Sequence, residues 1–215
     1  MWTVGSNGVK GVHVLAPAVV IACSCMSASC RVAGTEGRSP SYLIVERLEA
    51  ASGADPNDFA DVLQSDVSTC DRDGANCSIY EDRGRVTLRL ALRDIGTPDA
   101  PSAPTPTNFV TIDHYHVAFR RSDGRNQPGV DVPHAFDGGV TFTVTDTGTT
   151  PGVVTLVRAQ AKLEPPLIAM TNRGGAIVIS MIAEVTFFGR DQVGHAVTAT
   201  ATISVHFSDW ADPQV

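Results

Sequence analysis

The sequence predicts an all-β chain: an antiparallel β-sandwich of about seven to nine strands with one short helical segment. Three observations carry that expectation. Apolar and polar residues alternate with period two in several runs of eight or more residues. Turn signals interrupt them every ~8–12 residues. Helical periodicity is nearly absent. With 215 residues, 43% hydrophobic and 18% charged, the chain is long enough to bury a conventional core. Its formal net charge of −7 argues against nucleic acid or an anionic membrane surface as a partner.

Ordered structure is expected from "SYLIVERLEA" (41–50), a β-branched apolar run closed by the breaker "ASGADPND". "DPNDFADVLQSD" (55–66) places cap-forming residues before a short amphipathic stretch, which predicts one or two helical turns. "RVTLRLALR" (85–93) is the clearest strand: Val86, Leu88, Leu90 and Leu92 share one face, and Thr87, Arg89 and Arg93 the other. Prolines 98, 101, 104 and 106 make 95–108 a long surface loop, because proline cannot donate to a ladder. In "FVTIDHYHVAFRR" (109–121) the inward phase moves from Val110 and Ile112 to Tyr115, Val117 and Phe119. Such a slip marks a β-bulge near Asp113-His114.

"GVTFTVTD" (139–146) alternates through Val140, Phe142 and Val144. "VVTLVRAQAKL" (153–163) reads as a strand with Val157, Ala159, Ala161 and Leu163 inward and Arg158, Gln160 and Lys162 outward. The last two strands form a long hairpin. Ile177, Ile179, Met181, Ala183, Val185 and Phe187 share the inner face of one; Val197, Ala199, Ala201, Ile203, Val205 and Phe207 share that of the other. "GRDQVG" (189–194) turns between them. A lone hairpin is not stable in water, so the remaining strands must supply a second sheet.

This hairpin, "VTFFGRDQVGHAVTATATISV", resembles the last hairpin of bacterial extracellular immunoglobulin-like and fibronectin type III-like domains. The resemblance covers about 25 residues of 215 and is architectural. The Cys…Trp…Cys core of antibody-type domains is missing, since Trp2 and Trp210 are terminal and no cysteine lies beyond 77. The resemblance implies a domain that binds, spaces or decorates.

The N-terminus carries an address. "VHVLAPAVVIAC" (12–23) has the length of a signal-peptide core and is too short for a stable membrane span. Its end, Val20-Ile21-Ala22-Cys23, resembles a bacterial lipobox. That resemblance implies a signal peptide over 1–22 and lipidation of Cys23; composition then predicts a Ser/Gly/Ala-rich tether over 23–40, and strand patterning predicts one β-sandwich domain over 41–210. Lys10 is the lone positive charge before the apolar run, fewer than usual. Plain secretion with cleavage near Ala28, or an N-terminal strand with a buried cysteine, are the alternatives. Of cysteines 23, 25, 30, 70 and 77, lipidation leaves four, which permit three pairings. Cys70 and Cys77 bracket the polar "DRDGAN" and are the expected disulfide in an oxidising compartment. Cys25 and Cys30 either pair or stay free.

Three constellations could carry chemistry. His114 and His116 lie at i and i+2 of a strand, on one face, and could present two imidazoles to zinc. A third ligand would come from Asp131, His134 or His206; the alternative is two solvent-facing rings. Asp71, Asp73 and Asn76 offer oxygen donors to calcium, although turn formation explains Asx and Gly residues there equally well. The loop "RRSDGRNQPGVDVPHAFDGG" (120–139) gathers Arg120, Arg121, Arg125, Asp131, His134 and Asp137 into a candidate binding loop. Its alternative is a loop stapled by its own Asp–Arg pairs.

No nucleophile-elbow, zinc-protease, paired-cysteine or phosphate-loop motif occurs. The expected function is therefore an exported, lipid-anchored structural or binding module at the cell envelope, needing no cofactor. Its partner would be a protein or glycan at the cell surface. The competing expectation is a metal-dependent or hydrolytic enzyme using the His- and Asp-bearing loops of 114–137.

Overall fold

The computed structural model describes residues 37–71, 76–146, 149–173 and 175–210. Cys23, Cys25 and Cys30, with the expected signal peptide and lipid site, lie outside them. So do Asp73 and residues 211–215.

In chain order the strands are β1 (Ser41–Ala51), β2 (Val62–Asp66), β3 (Thr69–Cys70), β4 (Cys77–Ser78), β5 (Asp82–Leu92), β6 (Gly96–Thr97), β7 (Ala100–Pro101), β8 (Val110–Arg120), β9 (Phe136–Val144), β10 (Thr149–Val157), β11 (Ile179–Asp191) and β12 (Ala196–Ser208). One helical turn, α1 (Ala159–Lys162), and two 3-10 turns, Pro106–Asn108 and Leu167–Met170, complete the described elements. The chain is all-β. A three-stranded sheet runs β1-β5-β10 and a five-stranded sheet runs β2-β12-β11-β8-β9, with β3-β4 and β6-β7 as small ribbons. Every pairing of named strands is antiparallel except one, the parallel pair of β2 with β12.

Alternation explains the elements. Val86 and Leu88 of β5, Val117 of β8, Val185 and Phe187 of β11, and Val205 and Phe207 of β12 are all 0% exposed. They belong to one buried cluster that also takes Leu43 from β1, Val144 from β9 and Leu156 from β10. The cluster thus draws on both sheets. Burying a Leu, Val or Phe side chain stabilises by roughly 1.5–3 kcal/mol, so this shared cluster is the main source of stability. The hairpin β11–β12 pairs from Ile179 opposite Phe207 to Arg190 opposite Ala196.

The bulge lies where the phase slip places it. His114 stands opposite Phe188 and Ile112 opposite Gly189, so Asp113 is the extra residue. Gly189 serves that approach, because a Cβ there would overlap the Thr111 carbonyl and the Ile112 backbone.

Two elements correct the sequence reading. The helical turns expected over 55–66 do not form; β2 occupies Val62–Asp66 and pairs with β12, burying Leu63 and Ser65. Pairing with the last strand overrides the local cap signal, as tertiary context commonly does. The strand expected over 153–163 stops at Val157. A register shift between Thr155 and Val157 buries Leu156 and Val157 consecutively, and α1 follows. The helical turn rotates the faces: Lys162 becomes 1% exposed and Leu163 48% exposed, the reverse of the expected phase. Ile177 also lies outside its strand and is exposed. The proline-rich segment contains the short β6-β7 pair, with its residues exposed.

Among the described residues no helix is long and apolar enough to cross a membrane.

Candidate functional site

β8 and the segment after it position the predicted binding loop. Arg120 ends β8 and donates from Nη2 to Glu184 Oε1 on neighbouring β11 at 3.1 Å. Arg121 sends Nε and Nη2 to the Asp123 carboxylate, the shortest bond being 2.6 Å, and its backbone N–H donates to Asn126 Oδ1 at 2.7 Å. Arg125 donates to the same carboxylate through Nε and through its backbone N–H. The Arg121 contact, then the bonds from Arg125, hold Asp123 well below the usual carboxylate range, and Asp123 raises Arg121 in turn. Asp131 accepts from the Gln127 backbone N–H at 3.2 Å. These residues form a network whose charges face one another.

Asp137 lies outside that network. It belongs to β9, which begins at Phe136, three residues before the strand expected from 139. There Asp137 sits opposite His116 and bonds its Nδ1 at 2.8 Å. His134 is exposed; its ring lies against Gly129. The loop candidate therefore divides into an arginine–aspartate knot and a cross-strand His–Asp pair.

His114 and His116 have separate partners. His114 Nδ1 contacts Asp113 Oδ1, and the imidazole stacks on Phe188 with ring centroids 4.6 Å apart and planes within 6°. A small cleft of about 120 Å³ lies beside this stack, lined by Asp113, His114, Phe188, Arg190, Val197 and Thr198 among others. Of the suggested third ligands, His206 bonds Ser180 Oγ at 2.7 Å and Asp131 turns to Gln127. Among the described residues no group of three or more His, Cys, Asp or Glu side chains is arranged to hold a metal ion.

Cys70 and Cys77 are joined by a disulfide across the β3-β4 ribbon, where they pair directly. Asn76 Nδ2 donates to Asp71 Oδ2 at 2.6 Å, and the Asp71 N–H to the Asn76 carbonyl at 2.9 Å. The two described members of the calcium candidate thus bond each other across the neck of the loop.

The most deeply buried polar cluster escaped sequence reasoning. Lys162 Nζ donates to Asp82 Oδ1 at 2.8 Å, with the side chains 1% and 0% exposed. Ser65 Oγ donates to Asp82 Oδ2 at 2.6 Å, and the Gly53 N–H to Oδ1 at 2.9 Å. Burial raises the Asp82 carboxyl against the opposing pull of Lys162, Ser65 and Gly53. One carboxyl therefore gathers α1, β2, β5 and the segment after β1. The usable signal was compositional: Lys162 is one of two lysines beside fourteen arginines. A lone lysine in an apolar segment fits a site where a compact ammonium is required and a guanidinium is not.

Comparison with protein-family models and with curated proteins finds no match to this chain.

Proposed function

We propose that this chain is an exported β-sandwich of immunoglobulin-like architecture, tethered at the cell envelope through a lipid on Cys23, acting as a structural or binding module. The observation that carries the reading is the Cys70–Cys77 disulfide. Such bonds persist in oxidising compartments and are rare where thiols are kept reduced. The immunoglobulin-like part rests on two largely antiparallel sheets that contribute to one buried cluster and on the long closing hairpin.

A structural or binding role is supported by how the polar groups are used. Arg121 and Arg125, after β8, both pair with the single carboxylate of Asp123. That arrangement stiffens a loop and presents a fixed surface of hydrogen-bonding groups to a protein or glycan at the cell surface.

The test is the intact mass of the mature protein from the membrane fraction of its native host, with and without reduction. The reading expects a chain beginning at Cys23, heavier by its acyl groups and gaining two hydrogens for each disulfide reduced. A chain retaining residues 1–22 with five free thiols overturns it.

A further inference from the structure

The Lys162–Asp82 contact has a chemistry that an envelope module of this kind does not require. An ammonium carries three N–H donors. Among the described residues, Asp82 is the one acceptor that hydrogen-bonds Lys162 Nζ. As an ion pair, the site buries two charges, which is costly in an apolar interior. A secondary amide at the same place carries one N–H and no charge.

Asp82 is also presented as an acyl group. Its two oxygens are held separately, Oδ2 by the Ser65 hydroxyl and Oδ1 by the Gly53 N–H, so the carboxyl is fixed with the lysine nitrogen 2.8 Å from Oδ1. Burial favours the uncharged acid. Neutral amine and neutral acid are the forms that condense, and holding them in contact replaces an improbable encounter with an intramolecular one.

The geometry points to an intramolecular cross-link: an amide between Lys162 Nζ and Asp82 Cγ, formed within the folded chain. In the step, the ammonium gives one proton to Asp82 Oδ1, leaving a neutral amine and a carboxylic acid. Nζ attacks Cγ and forms the N–C bond, while the Ser65 hydroxyl stabilises the negative charge gathering on Oδ2. The Cγ–Oδ1 bond breaks, and Oδ1 leaves as water with a second proton from the nitrogen. The third stays as the amide N–H. Nothing is oxidised or reduced, and the net change is the loss of one water.

The bond would join the first residue of β5 to the last residue of α1. It would close covalently the three-stranded sheet's connection to the turn after β10.

The experiment is the denatured intact mass of the full chain, followed by peptide mapping and amine-reactive labelling in denaturant. The expected result is a mass one water below the sequence mass, allowing separately for the disulfide. A peptide joining the segments that contain Asp82 and Lys162 should appear, and Lys162 should resist labelling. The Asp82→Ala variant should return to its full sequence mass with Lys162 labelled, a reading that does not require it to fold. Wild-type protein at full mass, with Lys162 labelled as completely as a free lysine, overturns the cross-link. That result would leave the envelope reading untouched, because it rests on a different pair of residues.

Discussion

Tyr115 Oη accepts a hydrogen bond from the backbone N–H of Thr155 at 3.0 Å. The bond joins β8 of the five-stranded sheet to β10 of the three-stranded one, next to the β10 register shift. Tyr115 is 4% exposed, and its ring packs edge-on to Phe136 at 6.3 Å between centroids. A phenol on an inward strand position thus fills the core and supplies the acceptor that the shifted backbone needs.

Replacing Tyr115 by Phe keeps the ring and removes that acceptor. A partly buried N–H then loses its partner, a change that costs about 1–3 kcal/mol. Urea unfolding of Tyr115→Phe should show an unfolding free energy lower by that amount, read as a lower midpoint with an unchanged slope. Stability equal to wild type would mean that water replaces the phenol and that the contact does not matter.

Two adjacent glycines of β9 should respond oppositely to alanine. A Cβ on Gly138 would overlap the Tyr115 ring, whereas a Cβ on Gly139 meets nothing within 4 Å. Gly138→Ala should destabilise by about 1–3 kcal/mol through overpacking. Gly139→Ala should be neutral or stabilising by up to about 1 kcal/mol, because it reduces the freedom of the unfolded chain. Thermal unfolding of both variants checks the contrast, and equal losses would contradict the described packing.

Asp191 closes the β11–β12 turn and has a pH signature. Its buried carboxylate accepts from the Val193 and His195 N–H groups at 3.1 and 2.8 Å, and contacts His195 Nδ1 at 3.0 Å. Burial alone would raise its pKa; the His195 N–H, the Ser39 hydroxyl and the His195 ring outweigh that and lower it. A carboxyl lowered on folding stabilises fully above its unfolded value of about 3.9, and that stabilisation is lost as pH falls through the folded value. Asp191→Asn should therefore be less stable than wild type near neutrality by about 1–2 kcal/mol, with the gap closing below about pH 4. A constant gap across that range would show that the carboxylate's charge is not involved.

Period-two patterning made the long strands legible. β5, β8, β11 and β12 bury most of the residues their alternation nominates, with Leu92, Ile179 and Ala201 only partly buried and Ile177 exposed, and the Asp113 bulge shows in sequence because an extra residue shifts the inward phase from Ile112 to Tyr115. The Cys70–Cys77 bond was also readable, since the partners stand seven positions apart around a polar turn. Arg121, Asp123 and Arg125 are likewise near neighbours, so their pairing within the loop was foreseeable as one of two outcomes.

What sequence by itself determined about this protein is its all-β character, its closing hairpin and its local loop chemistry, because each depends on residues close together in the chain. Tertiary structure alone decided that Val62–Asp66 is a strand, since its partner Ser204–Ser208 lies some 140 residues away. It also decided the fate of Lys162. Alternation set that lysine on the outer face, but the shift at Thr155–Val157 ended β10 and the turn of α1 carried the amine into the core. Its carboxyl partner stands 80 residues away in sequence. Contacts across such separations depend on how sheets pack and where ladders slip, and no local period records either.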